Sequence, residues 1–127
     1  MKMYIKSVCV DDQAKALAFY TENLGFTVKH DIPMGEHRWI TLTSPDEPEG
    51  VELALEPNEH PAVKDFQAAM KADGIPFTAF RVENLEAEYQ RLSDLGVEFT
   101  QTPMTAGEVQ IAVFNDTCGN LIQLIQL

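Results

Sequence analysis

The sequence predicts an α+β fold built from two tandem β-α-β-β-β modules. Three observations carry this prediction: a helical pattern with the same start and stop signals occurs twice, short alternating strands surround each copy in the same order, and a third helical stretch joins the halves. The first helix opens at Val10-Asp11-Asp12, places Ala14, Leu17, Tyr20 and Leu24 on one face, and stops at Gly25 before Phe26-Thr27-Val28. About seventy residues later the pattern returns. Val82-Glu83-Asn84 opens a helix with Leu85, Tyr89, Leu92 and Leu95 on one face, and Gly96 ends it before Val97-Glu98-Phe99. Asp12 and Asn84 have the short acceptor side chains that cap free N–H groups, and Gly25 and Gly96 can take the left-handed backbone that closes a helix.

The strands follow from alternation between turn signals. Residues 4–10 precede the first helix, and residues 25–30, 37–43 and 51–56 follow it, separated by Pro33-Met34-Gly35 and by the Pro- and Glu-rich stretch 45–50. In the second half the strands are residues 76–82, then 97–101, 108–114 and 121–126. Between the halves, Val63, Phe66 and Met70 have helical spacing and the pattern ends at Gly74. The organisation is therefore one domain: module one over residues 1–57, a linker helix over 58–74, and module two over 75–127.

Composition excludes several functions. Of 127 residues, 45% are hydrophobic, enough for a packed core. Nine Lys and Arg stand against twenty Asp and Glu, a net charge of −11 spread along the chain. Nucleic-acid and anionic-membrane partners both require clustered basic side chains, so neither is expected. Small neutral or cationic ligands fit this charge, whereas anionic ones would have to overcome the field. The residues after Met1-Lys2-Met3 do not follow signal-peptide order, and no run approaches the roughly 20 apolar residues of a membrane helix. Cys9 and Cys118 lie far apart and make no disulfide framework, so reduced thiols and a cytoplasmic location are expected. Cys118 lies in the turn-like Asp116-Thr117-Cys118-Gly119-Asn120, with nothing basic beside it to activate the thiol.

Several residue strings point to a known family. Val10-Asp11-Asp12, Phe19-Tyr20 and Leu24-Gly25-Phe26 stand near the start; Phe114-Asn115-Asp116 and Gly119-Asn120-Leu121-Ile122-Gln123-Leu124 stand at the end. Together with the paired modules, they resemble the vicinal oxygen chelate superfamily, which holds glyoxalase I, bleomycin-resistance proteins and extradiol dioxygenases. The resemblance covers essentially the whole chain. It implies that the strands curl into a concave mixed sheet around a central pocket with the helices outside, and that the protein is a homodimer.

Strand alternation then proposes the pocket-facing residues. They are Ile5, Ser7 and Cys9; His37, Trp39 and Thr41; Glu52, Ala54 and Glu56; Phe77, Ala79 and Arg81; Gln110, Ala112 and Phe114; and Leu121, Gln123 and Ile125. The opposite faces, including Val8, Val10, Ile40, Leu42, Leu55, Phe80, Ile111, Val113, Ile122 and Leu124, are apolar as a helix-packed face should be.

In the family it resembles, glyoxalase-like and dioxygenase-like members hold a divalent metal with four side chains, where it acts as a Lewis acid on vicinal oxygens. The matching positions here are Ile5, Glu52, Phe77 and Gln123. Glu52 and Gln123 carry donor oxygens, but Ile5 and Phe77 have no lone pair, so no metal and no cofactor is expected. Glu52 has two readings: a carboxylate that acts as general base or anchors a ligand cation, or a remnant bonded to Gln123 or left wet. Trp39 and Phe77 are aromatics that can stack on a planar ligand or hold a cation, or simply fill space. His37 and Arg81 read as rim residues, and His30 and His60 as surface residues without a role. The expected function is binding of a small neutral or cationic organic molecule in a metal-free pocket lined by Ile5, Trp39, Glu52, Phe77, Phe114 and Gln123. The alternatives are a metal-dependent lyase or dioxygenase of the glyoxalase type, and a cofactor-free enzyme with Glu52 as base.

Overall fold

Both module helices begin where a side chain can satisfy a free N–H. The computed structural model describes residues 1–127. In it, Asp12 accepts from the Lys15 N–H at 3.0 Å and Asn84 from the Ala87 N–H at 3.0 Å, each from an extended backbone. These caps start α1 (Gln13–Ala18) and α3 (Leu85–Asp94). The glycines expected to end the helices are left-handed, Gly25 at φ 85° and Gly96 at φ 86°. One difference separates the helices: α1 widens into a π-helical stretch, Phe19–Asn23, where a continuous α-helix was expected. There the Thr21 hydroxyl donates to the Leu17 carbonyl at 2.7 Å, taking up the acceptor that the α-helical ladder would use.

The chain divides into two compact units, Met1–Lys64 and Asp65–Leu127, and α2 (Pro61–Ala72) spans the division. The first unit contains β1 (Ile5–Val10), β2 (Thr27–Met34), β3 (His37–Thr43) and β4 (Glu52–Pro57) in the sheet order β1-β4-β3-β2. The second contains β5 (Thr78–Arg81), β6 (Phe99–Ala106), β7 (Val109–Asn115) and β8 (Leu121–Gln126) in the order β5-β8-β7-β6. In each sheet the outer pair β1·β4 or β5·β8 is parallel and the remaining pairs are antiparallel. This is the α+β fold of two β-α-β-β-β modules that the sequence predicts.

Each sheet buries the face turned toward its helix. In the first unit Val8, Val10, Ile40, Leu42 and Leu55 are buried with Ala16 and Tyr20. Gln13 fastens α1 to the sheet: its amide donates to the carbonyls of Arg38 and Leu55, and its oxygen accepts from the Arg38 N–H. In the second unit Ala112, Phe114, Ile122 and Leu124 are buried with Leu85 and Leu92, and Gln126 accepts from the Leu85 N–H at 2.7 Å.

The edge strands run further than expected. Both β2 and β6 continue through a proline, Pro33 and Pro103, which turn chemistry alone would treat as a stop. Each is the outermost strand of its sheet, where a missing N–H breaks no rung of the ladder. Both hairpins turn on a two-residue Gly-Glu loop, with Gly35 and Gly107 each at φ 63° between the pairs Met34↔His37 and Ala106↔Val109. No helix is long and apolar enough to cross a membrane.

Candidate functional site

Strand register decides which side chains of the first sheet share a face. Glu52 opens β4 opposite Ile5, Ala54 lies opposite Ser7 and Thr41, and Thr41 lies opposite His30. Side chains opposite one another project to one side of a sheet, so Ile5, Ser7, His30, Trp39, Thr41, Glu52 and Ala54 stand together, away from α1. The grouping of Ile5, Trp39 and Glu52 on one face is as expected from alternation.

His30 joins this face through an irregularity in β2. A bulge in β2 falls between Val28 and His30: Val28 pairs with Leu42, Lys29 is skipped, and His30 pairs with Thr41. Without that extra residue His30 would turn toward the helix side. Its Nε2 instead lies 3.8 Å from Glu52 Oε1 while the side chain stays 40% exposed, so a residue expected only at the surface also borders Glu52. The signal was faint in the sequence, since a bulge depends on the partner strand.

Glu52 is 3% exposed, and its Oε1 accepts no hydrogen bond. Thr41 is 0% exposed, and its Oγ1 likewise has no partner. Buried polar groups are ordinarily hydrogen-bonded, so two such atoms on one face mark a departure from normal packing. The nearby strong cations are committed elsewhere. Arg38 forms a two-pronged pair with Asp31 at 2.6 and 3.0 Å, and Lys29 reaches Glu49 at 3.4 Å. The Arg38 hydrogen bond holds the Asp31 carboxyl below its ordinary range, and Asp31 holds Arg38 above its own. On the same face of β1, burial, aided by the negative charge of Glu56, pushes the Cys9 thiol up, which disfavours the thiolate.

In the second unit Gln123 lies opposite Ala79 and Val113. Phe77 stands on the same face at the neighbouring rung: its N–H donates to the Leu121 carbonyl at 2.8 Å and its ring meets Phe66 edge-on at 6.2 Å. Gln101, opposite Val113, shares this face, and its buried Nε2 has no partner. The expectation that Gln110, Ala112 and Phe114 lie on the Gln123 face is overturned by the register. Val113 pairs with Gln123 and Phe114 with Ile122, so Ile111 and Val113 take the Gln123 face while Phe114 points to the helix side. There Phe114 is 0% exposed and stacks edge-on against Phe99 at 5.8 Å, which in turn meets Tyr89 of α3 at 4.8 Å. Phe114 is core, and it leaves the set of ligand-facing residues.

The end motif serves structure. Asp116 is fully buried and accepts from the N–H of Cys118 at 2.8 Å, the N–H of Asn120 at 2.9 Å and the Asn120 amide at 2.9 Å. The Asn120 oxygen accepts from Gln67 of α2 at 2.9 Å, and Gly119 passes so close to that amide that a Cβ would stand 3.2 Å from it. Thr117 adopts φ 64° to close the loop.

The donor set does not fit a resident metal. Of the four positions that the resemblance implies for a metal, Ile5 and Phe77 offer no donor atom, and no group of three or more His, Cys, Asp and Glu side chains is placed to hold an ion. Glu52 with His30 makes at most a pair.

The sequence model for the Glyoxalase/Bleomycin resistance protein/Dioxygenase superfamily matches residues 4–124. The chain belongs to this superfamily. The uncharacterized protein YurT of Bacillus subtilis (strain 168) is 56% identical over 126 residues, spanning 99% of both chains. Among solved structures, UcmS2 superposes with a TM-score of 0.84 at 36% identity, over 98% of this chain and 97% of its own. TnmS3, an antibiotic binding protein from Streptomyces sp. CB03234, superposes with a TM-score of 0.78 at 27% identity, over 99% of this chain and 95% of its own. This superfamily member therefore has antibiotic-binding protein among its structural neighbours.

Proposed function

We propose that this superfamily member binds a small neutral or cationic organic molecule, without a metal, on the face of the first sheet that carries Ile5, Trp39 and Glu52. The observation that carries the reading is the buried Glu52 carboxylate whose Oε1 accepts no hydrogen bond, on a face that also presents an indole. A buried charge lacking full compensation costs stability, and such groups are retained where a ligand uses them. The net charge of −11 favours neutral and cationic ligands, and the likeness to TnmS3 supports a binding role. Phe77 and Gln123 are proposed as ligand-facing residues of the second sheet, and a cytoplasmic homodimer belongs to the same proposal.

The test is a thermal-shift screen over cationic antibiotics and small dicarbonyls, with elemental analysis of the purified protein. A saturable rise in melting temperature with one ligand class and no stoichiometric metal is expected. Stoichiometric Ni, Zn, Mn or Fe, with stabilisation on adding that ion, would replace this reading with a metal-dependent lyase or dioxygenase.

A second reading has its own observation: the imidazole of His30 stands 3.8 Å from Glu52, which suits a cofactor-free enzyme with Glu52 as base. There Glu52→Gln abolishes turnover and leaves part of the binding, whereas under the binding reading no turnover exists to lose.

A further inference from the structure

We infer that Glu52 and Thr41 form a subsite for a protonated amine, covered in the free protein by the His30 ring. The inference rests on the binding face proposed above and names the class of ligand it takes.

Two buried oxygens lack donors on this face, Glu52 Oε1 and Thr41 Oγ1. They belong to adjacent strands, with Thr41 opposite Ala54 and Glu52 two residues before it. Diagonal neighbours of this kind have Cα atoms about 7–8 Å apart, a gap that a glutamate side chain can narrow. An ammonium group brings several N–H donors and a positive charge, which is what an acceptor pair of one carboxylate and one hydroxyl lacks. A neutral alcohol brings one donor and no charge.

The protein supplies no strong cation of its own to this carboxylate. The bulge that turns His30 toward Glu52 leaves Lys29 unpaired in the ladder, and its ammonium reaches Glu49 and the Pro48 carbonyl instead. Arg38, on the next strand, is held by Asp31. The one basic group near Glu52 is the His30 imidazole, and at 3.8 Å it makes no hydrogen bond to Oε1.

His30 is also movable. It sits on the edge strand β2, with its side chain 40% exposed, beside a carboxylate whose side chain is 4% exposed. A ring this exposed on an edge strand can turn toward solvent and give up its place beside the carboxylate to an ammonium.

The experiment is calorimetric titration at neutral pH with two matched probe pairs: benzylamine against benzyl alcohol, and 2-naphthylmethylamine against 2-naphthylmethanol. Wild-type protein should bind each amine at least about tenfold more tightly than its alcohol, as expected of a hydrogen bond to a charged group. Glu52→Gln should bring amine and alcohol within about threefold of each other, Thr41→Val should shrink the preference without removing it, and His30→Ala should keep it. Folding of each variant is checked by circular dichroism, and Thr41→Val decides if Glu52→Gln does not fold. Alcohols that bind as well as amines, or an amine preference unchanged in Glu52→Gln or Thr41→Val, overturn the subsite and leave the binding face standing. Wild-type protein that binds neither member of either pair overturns the binding face, and the subsite with it.

Discussion

The two units share strand order, helix caps and hairpin loops, yet they handle buried polar groups in opposite ways. In the second unit the one fully buried carboxylate, Asp116, accepts three hydrogen bonds inside a loop, and Gln67 extends the network through Asn120. In the first, the buried carboxylate is Glu52, and one of its oxygens accepts none. In the first sheet β4 opens on Glu52 opposite Ile5, whereas in the second β8 opens on Leu121, whose carbonyl accepts from the Phe77 N–H. The unpartnered atoms also differ in kind, since the second face leaves an amide nitrogen, Gln101 Nε2, where the first leaves a carboxylate oxygen and a hydroxyl. The repeated features are those that build a β-α-β-β-β unit, and the buried polar groups depart from the repeat.

The largest test of this contrast compares aromatics from opposite faces. Phe114→Ala empties a fully buried position against Phe99 and should cost about 3–5 kcal/mol in chemical denaturation. Trp39→Ala, at a half-buried position on the other kind of face, should cost clearly less while weakening ligand binding. Equal losses would make Trp39 a core residue and remove it from the site.

The two carboxylates come next. Asp116→Ala leaves two backbone N–H groups and an amide without their acceptor and should cost about 3 kcal/mol. Glu52→Gln replaces an incompletely satisfied buried charge by a neutral isostere, so its midpoint should stay level or rise. A large loss in Glu52→Gln would show that the carboxylate is structural, as Asp116 is.

The caps should behave alike. Asp12→Ala and Asn84→Ala each remove one 3.0 Å cap bond, and each should cost about 1 kcal/mol in the same assay. A marked difference between them would show that the π-helical continuation of α1 makes the first helix depend differently on its start.

The smallest effect is confined to acid. The Arg38 hydrogen bond lowers the Asp31 pKa in the folded chain, so this pair stabilises the fold above the ordinary carboxylate range. The contribution fades as pH falls through the lowered folded value, where Asp31 takes up a proton. Asp31→Asn should therefore reduce stability slightly at neutral pH and flatten the acid limb of the stability curve. A variant whose acid limb matches that of the wild type would show that the pair contributes nothing to folding, as many exposed pairs do.

Much of the fold was legible because its signals are local. The caps at Asp12 and Asn84 and the left-handed glycines at Gly25 and Gly96 act within a turn of their helices, and alternation over β1, β3 and β4 places Ile5, Trp39 and Glu52 on one face. The prolines misled the strand ends because Pro33 and Pro103 are tolerated only on an edge, and edge position is a property of the finished sheet.

From the sequence alone came the module repeat and the order of its elements, since each depends on neighbours within a few residues. Tertiary structure alone decided that His30 joins Glu52, that Phe114 leaves the site for the core, and that one carboxylate is fully bonded while the other is not. The reason is register: one bulged residue in β2 reverses every face beyond it, and the pairing of β7 with β8 selects which half of its residues meets the helix. Such pairings join residues far apart along the chain, so no local pattern encodes them.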